Sequence, residues 1–408
     1  MFFLKVGWRN ILRHRRRSAV TVLSVMSGVI AVVLFGGFVQ ANYEGLRESV
    51  IRSQYGHLQI YADGYLDGHR KEPAAHRLGP TGAAAVERIL ADSPGFLVAS
   101  RRLEFTGLLG NDRLSEAVVV RGVEPDSEAL INSALTLIDG YDLDPARPEG
   151  VLLGEGLAAA LDASVGKRMT LLATTESGVM NAVDVQVEGV FRSFAKEYDN
   201  RAMMMVLSQA QLLLGTDAVD KVVLLIEDTA TLPALVRELD ARFAAAGLAV
   251  EHRTWRQLAS FYQKVVDLYD SFFLFIVIVI ALVVLLGIAN TMMVAVMERT
   301  AEIGTLRAMG TRRAGIVRQF MVEGLLLALL SSLAGVAAGA ALAEGITALE
   351  IMMAPPPGSS RGYPLRIALV PGAWLAAVAG VMAIAALATA FPATGAARKP
   401  IVDALRHV

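Results

Sequence analysis

The chain has 408 residues, of which 54% are hydrophobic and 19% charged, with a formal net charge of −1. That composition and a mean hydropathy of +0.49 point to a membrane protein with a substantial soluble part. With no cysteine, disulfides, zinc–thiolate sites, a cysteine nucleophile and lipidation on cysteine are all excluded.

Lys5, Arg9, Arg13, Arg15, Arg16 and Arg17 precede the first apolar run with no acidic residue among them, which places the N-terminus in the cytoplasm. Residues 1–17 intersperse Phe3, Val6, Ile11 and Leu12 among these basic groups, as an amphipathic helix on an anionic leaflet does. Residues 18–41 make the first span. Its apolar run of about 24 residues exceeds the roughly 7–15 of a signal peptide, so Val39-Gln40-Ala41 is not read as a cleavage site.

Residues 42–267 contain no comparable span and, by alternation of sides, lie outside the cytoplasmic membrane. Val183, Val185 and Val187 alternate with Asp184, Gln186 and Glu188, which predicts a half-buried strand over 182–191. Strands are also expected over 116–123, 169–173 and 221–227. Helices are expected over 83–91, 157–161 and 231–246; in the last, Thr231 caps, Pro233 sits in the first turn, and Leu235, Leu239 and Phe243 form the buried stripe before Gly247. Strands mixed with helices argue for an α+β domain. Residues 256–269 read as a helix running without a breaker into the second span, a stalk able to carry motion.

The second span covers 268–297, and 272–297 contain no Asp, Glu, Lys, Arg or His; at 1.5 Å per residue that charge-free run reaches roughly 39 Å, enough to cross a ~30 Å hydrocarbon core. Asn290 and Thr291 interrupt it, and interhelical packing is the favoured use of these polar groups. Next comes a charged island over 298–323, ERTAEIGTLRAMGTRRAGIVRQFMVE. Within it 300–309 reads as a compact helix with Arg307 in its last turn and Gly310 placed to end it. Thr311 then caps a second helix. That helix sets Ile316, Val317, Phe320 and Met321 on one side and Arg312, Arg313 and Arg318 on another, as an elbow at a membrane surface would. Topology alone does not call for Glu298, Glu302 and Glu323.

The third span, 324–343, carries Gly335 and Gly339 at the small-xxx-small spacing of close helix contacts. An external loop over 344–366 holds Pro355, Pro356, Pro357, Arg361 and Arg366. The fourth span is 367–391, with Pro371 and Pro392 at its boundaries, and Arg398, Lys399 and Arg406 return the 392–408 tail to the cytoplasm. The expected fold is four transmembrane α-helices with a large extracytoplasmic α+β domain between the first and second.

Chemistry-bearing motifs are scarce. His57, His69 and His76 match no metal-ligand spacing and read as packing or surface groups. Asp63 and Asp67-Gly68 resemble fragments of a calcium loop, but Tyr65 and Ala74 stand where ligands belong. Val165-Gly166-Lys167-Arg168 lacks the upstream glycine and the Ser/Thr of a phosphate loop, and neither G-x-S-x-G nor H-E-x-x-H occurs. Apart from Asp270 at the outer edge of the second span, no charge lies inside a span, which weighs against an ion relay and suits helices that move as levers.

The run ERTAEIGTLRAMGTRR, with the basic amphipathic segment and Gly-rich span after it, resembles the coupling region of ABC-transporter permeases in the MacB, LolC/LolE and FtsX superfamily. WRNILRHRRRSAVTVLSV, GHLQIYADGY, VLLGEGLAAALDASVGKRMTLL and FPATGAARKPIVDALRHV resemble their counterparts in the same order. The length and GHLQIYADGY make the chain most similar to LolE-like lipoprotein-releasing permeases. The resemblance implies a non-catalytic subunit of the bacterial inner membrane, without a cofactor of its own. ATP and Mg would be bound by a cytoplasmic ABC ATPase dimer. Other implied partners are a second permease copy or paralogue, membrane lipid, and a periplasmic cargo or adaptor; nucleic acid is not among them. Glu298, Arg299, Glu302, Ile303, Gly304, Leu306, Arg307 and Gly310 would couple to the ATPase, with Glu302 and Arg307 in charged contacts and Ile303 and Leu306 filling its groove. The external domain would have two lobes, one inserted near 105–190. Work done inside would move lipoprotein or lipid-like cargo outside, by mechanotransmission. The alternatives are an FtsX-like activator of an external partner and a MacB-like peptide or drug efflux permease.

Overall fold

The computed structural model describes residues 15–68, 73–193, 195–354 and 362–400, together with Arg9 and Arg13. The expected N-terminal amphipathic helix lies almost wholly outside these residues, as do His69, Arg361 with its three prolines, and the tail from residue 401. The chain divides into two compact units. One comprises Met1–Glu44, Val265–Met352 and Pro364–Val408; the other comprises Gly45–Lys264 and Met353–Tyr363.

Four helices among the described residues are long and apolar enough to cross a membrane. The first, α1, is Arg15–Val50. In the membrane unit its Val25, Val29 and Val33 meet Val284, Ile288 and Met292 of the second span, Leu327 and Ala328 of the third, and Val381, Ala385 and Ala388 of the fourth. Apart from Met292 and Leu327 the shared seam is made of β-branched and small residues, and the small ones let helix backbones approach where lipid supplies no hydrophobic drive.

The other unit is built on ten strands: β1 Leu58–Ala62, β2 Phe96–Gly110, β3 Ser115–Val123, β4 Thr136–Gly140, β5 Gly150–Gly154, β6 Arg168–Thr174, β7 Met180–Arg192, β8 Ala202–Val206, β9 Lys221–Ile226 and β10 Val250–Thr254. Strands β10, β1, β9 and the first half of β2 form an antiparallel sheet. Helices α2, Pro80–Ala91, and α5, Leu232–Ala245, pack together, and α2 also contacts β2 and β9. The far half of β2 enters a closed ring, β2–β3–β8–β5–β7–β6 and back to β2, in which β3–β8 and β5–β7 are parallel. Helix α3, Pro125–Ile131, follows β3 in sequence, and helix α4, Leu207–Leu214, follows β8. Closing the ring removes edges that would otherwise invite pairing with other chains. The ring reaches Val206, past the 190 expected for the inserted lobe, because β8 returns to pair with β3 and β5.

Charges pin β2 between the two arrangements. Arg102 is fully buried and lies 2.7 Å from Glu128. Glu104 accepts from Lys221 at 2.7 Å and Arg121 at 2.9 Å. Burial pushes the Glu104 carboxyl up, but Lys221 and Arg121 outweigh it and hold the group well below the usual carboxylate range.

Several expectations need correcting. Thr231 makes no side-chain cap for α5; Asp228 accepts from Ala230 N at 2.8 Å and caps a preceding 3-10 turn, to which Thr231 belongs. The stalk is interrupted. Helix α6 is only Trp255–Leu258, Ala259 has ψ 66°, and α7 begins afresh as Ser260–Glu298. A capping box between Thr254 and Gln257 starts α6, and burial of Ala259 at 3% exposure fixes the break without a glycine or proline. Glu188, expected on the solvent side of β7, is buried at 6% exposure because Arg147 Nη1 reaches its carboxylate at 2.8 Å. The reading of His57 as a packing group needs no such correction: it is 1% exposed, its Nδ1 accepting from Ile226 N and its Nε2 paired with Thr229 Oγ1.

Candidate functional site

Helix α7 ends at Glu298, and Arg299, with φ −111° and ψ 18°, turns the chain into α8, Thr300–Ala308. Thr300 Oγ1 donates to the carbonyls of Val296 and Met297, both at 3.0 Å, which ties the new helix to the end of the old one. Helix α8 closes on Gly310. Gly310 N donates to Arg307 O and Thr311 N to Leu306 O, a double C-terminal bond that requires the left-handed backbone glycine supplies at φ +95°. Helix α9 follows as Arg313–Ala348 and α10 as Pro371–Arg398.

Thr311 does not cap α9. Arg312 holds the N-cap position with no side-chain bond. Nor is there an elbow, since α9 runs unbroken from the basic segment through the third span. Its apolar side faces protein: Ile316 and Phe320 are buried with Ala295 and Val296 of α7, Ile303 of α8, and Ala393, Ala396 and Ala397 of α10. Helix α10 continues through Pro392 to Arg398 instead of stopping at the proline, which is buried in this same region where neighbouring helices tolerate it.

This seat orients α8. Ile303 and Gly304 are buried, and Leu306 is half-buried against the same cluster, so these residues form a floor under the helix and do not face a partner. Arg307 is also turned inward, donating from Nη1 to the Lys399 carbonyl at the end of α10. The outward side carries Glu302, Thr305 and Met309, the last 71% exposed. Glu298 and Gly310 are exposed at either end, and Arg312 and Arg313 extend the surface.

Beneath lies an ion pair that the sequence reading did not assemble. Arg299 Nη1 donates to Glu323 Oε2 at 3.0 Å, with side-chain exposures of 8% and 3%. The pair joins the end of α7 to α9, and Glu302 lies 4.0 Å from Arg299 Nε. An isolated acid at the head of an apolar run was the available signal for Glu323.

Among the helix-packing residues, Gly335 and Gly339 lie against α1. An added Cβ at Gly335 would come 2.8 Å from Val29 Cβ, and at Gly339 3.0 Å from Val33 Cγ1. Asn290 instead is exposed, and its side chain makes no hydrogen bond among the described residues. Its neighbour Thr291 makes the interhelical bond, 2.6 Å to Thr21 of α1.

Four spanning helices, a mixed α/β unit between the first two, and a capped helix seated on the ends of the other three define a transmembrane permease. Residues 18–242 match the family model "MacB-like periplasmic core domain" and residues 274–401 match "FtsX-like permease C-terminal"; the chain belongs to the ABC-transporter permeases of the MacB/LolC/FtsX family. It is 27% identical to the lipoprotein-releasing system transmembrane protein LolC of Neisseria meningitidis serogroup B, over 84% of this chain and 82% of that one. With the corresponding LolE of Haemophilus influenzae the identity is 24%, over 84% and 82%. With the macrolide export ATP-binding/permease protein MacB of Psychrobacter arcticus it is 25%, over 81% of this chain but only 50% of MacB, so the chain spans about half the length of that relative.

Proposed function

We propose that this chain is the permease subunit through which a separate cytoplasmic ATPase drives movement outside the membrane, with both termini cytoplasmic and the mixed α/β unit periplasmic. The observation that carries the reading is the seating of α8. Its apolar side is fixed to the ends of α7, α9 and α10, so force applied to its outer side moves those spans together. Glu302, Thr305 and Met309 form the outer contact, Glu302 contributing charge and Met309 an adaptable apolar tip. Ile303, Leu306 and Arg307 hold the helix in place. ATP and its Mg²⁺ belong to the partner.

Lipoprotein or lipid-like cargo is in keeping with LolC and LolE, whose names describe lipoprotein release. The match of 18–242 to the MacB-like core favours a second reading, export of a small molecule or peptide. The absence of cysteine makes the docking test direct. A single Cys at Thr305 or Met309, carrying a short photo-cross-linker, should capture the ATPase that co-purifies with the chain, whereas Ile303→Cys should not. Capture from Ile303, or from none of the three while the ATPase still co-purifies, refutes this docking surface.

A further inference from the structure

Helix α7 keeps one side for its own chain and leaves the other bare. Val284, Ile288, Thr291, Met292, Ala295 and Val296 are buried in the membrane unit. On the opposite side stand Val279, Val283, Leu286, Asn290, Met293 and Met297, all exposed. The five apolar ones range from 39% exposure at Met293 to 65% at Met297. Steps of four and three residues alternate through this set without a break, which is the seam by which two helices cross at a shallow angle. At 1.5 Å per residue the seam is roughly 27 Å long, nearly the full depth of a hydrocarbon core.

Lipid chains alone would satisfy the five apolar residues, but not Asn290. A ~30 Å core centred on the charge-free run 272–297 spans roughly 275–294, which puts Asn290 about one helical turn inside it. Its side chain is too short to reach back to water, and it has no hydrogen bond among the described residues. Leaving an amide bare in hydrocarbon is costly. A bond to the carbonyl four residues earlier, such as Asn42 Nδ2 makes to Phe38 O at 2.8 Å, would use one donor and leave the amide oxygen unpaired. The face therefore calls for a polar partner at one level and apolar partners above and below it.

A second copy of the same helix supplies that pattern. An amide carries both donors and an acceptor, so two asparagines satisfy each other. Two copies inserted in the same direction and related by a two-fold axis along the membrane normal bring identical residues together. Sliding one helix by a step of the seam would set Asn290 against Leu286 or Met293 and leave both amides unpaired, so a lone Asn in such a seam selects one register. We propose that this side of α7 packs in parallel on the same side of α7 in a second copy of the chain, with the two Asn290 amides bonded to each other. The pairing does not depend on ATPase docking, and its test uses no ATPase.

Because the chain has no cysteine, the test is disulfide cross-linking of the full chain in membranes that hold two differently tagged copies. Leu286→Cys and Met293→Cys, which flank Asn290 on the seam, should each link the two tags on oxidation with a membrane-permeant catalyst. Leu387→Cys on α10 and Leu333→Cys on α9, exposed by 68% and 52%, should not. Diluting the Leu286→Cys variant with added lipid should give a midpoint for the linked fraction. Adding Asn290→Leu should lower the association constant read from that midpoint roughly tenfold, the worth of one interhelical polar contact, and Asn290→Gln should recover most of it. The seam arms keep the native Asn290, so they stand even if Asn290→Leu inserts poorly. No link from either seam position, equal linking from the α9 and α10 controls, or linking only to a different polypeptide overturns the proposal. So does an Asn290→Leu midpoint within twofold of the parent, which would make this a lipid-facing side that copies meet only by collision.

Discussion

Replacing Glu323 with Ala tests whether the buried pair beneath α8 fixes the helix ends. Arg299 would be left at 8% side-chain exposure without the carboxylate 3.0 Å away. Stranding one member of such a pair costs about 3–5 kcal/mol. Here the lower end applies, because Glu302 lies 4.0 Å from Arg299 Nε and, being 61% exposed, compensates only partly. A loss of about 3 kcal/mol is roughly 150-fold in the unfolding equilibrium. Replacing both partners, Arg299→Met with Glu323→Met, removes the charges together and fills a similar volume, so it should cost no more than about 1 kcal/mol.

Unfolding in mixed micelles by an increasing denaturing-detergent fraction, followed by intrinsic tryptophan fluorescence, reads both effects. Trp374 of α10 packs against the core of the spans and reports on that unit. The double variant should be more stable than either single one. If both single variants stay within about 0.5 kcal/mol of the parent, or if the double variant loses the sum of the two, the pair does not act as a desolvated unit and the account of the α7–α9 junction fails.

His57 is neutral at ordinary pH because burial lowers its pKa from 6.5 to about 4. The unfolded chain therefore takes up the proton first: stability is fully present above pH 6.5, falls as pH drops toward 4 by up to about 3 kcal/mol, and then levels off. Unfolding followed across pH 4–7 should show a shallower loss for His57→Gln, and an unchanged slope would refute this assignment. Gly339→Val should destabilise the spans by about 1–3 kcal/mol through overpacking against Val33. Gly345→Ala, with nothing within 4 Å of the added Cβ, should be neutral or slightly stabilising; thermal melts of the two variants that coincide would contradict the packing described. A reporter active only outside the cytoplasm should work when fused after Asp228 and fail after Gly310, and activity at Gly310 would put α8 on the wrong side for an ATPase.

The sequence made the spans legible because a charge-free apolar run has few other uses, and it made the end of α8 legible because Gly310 is a local signal. Strand β2 was not legible. Arg101, Arg102 and Glu104 interrupt its apolar pattern, and they become compatible with a buried strand only through Glu87, Glu128, Arg121 and Lys221, which arrive from other elements.

The facing of α8 was hidden for a related reason. A nine-residue helix with Ile303 and Leu306 on one side and Ala301, Thr305 and Ala308 on the other can seat either way by composition, and burial is decided by what waits beneath it. What waits is Ala393, Ala396 and Ala397 at the far end of the chain together with Phe320, whose side chain the basic pattern of its own segment had assigned to lipid. Once α10 supplies that small-residue bed, Ile303 gains more by burial than Thr305 or Met309 could. The residues left outside are then the ones available to a partner. A coupling surface in such a protein is best read by subtraction, from the side chains that the chain's own helices do not need.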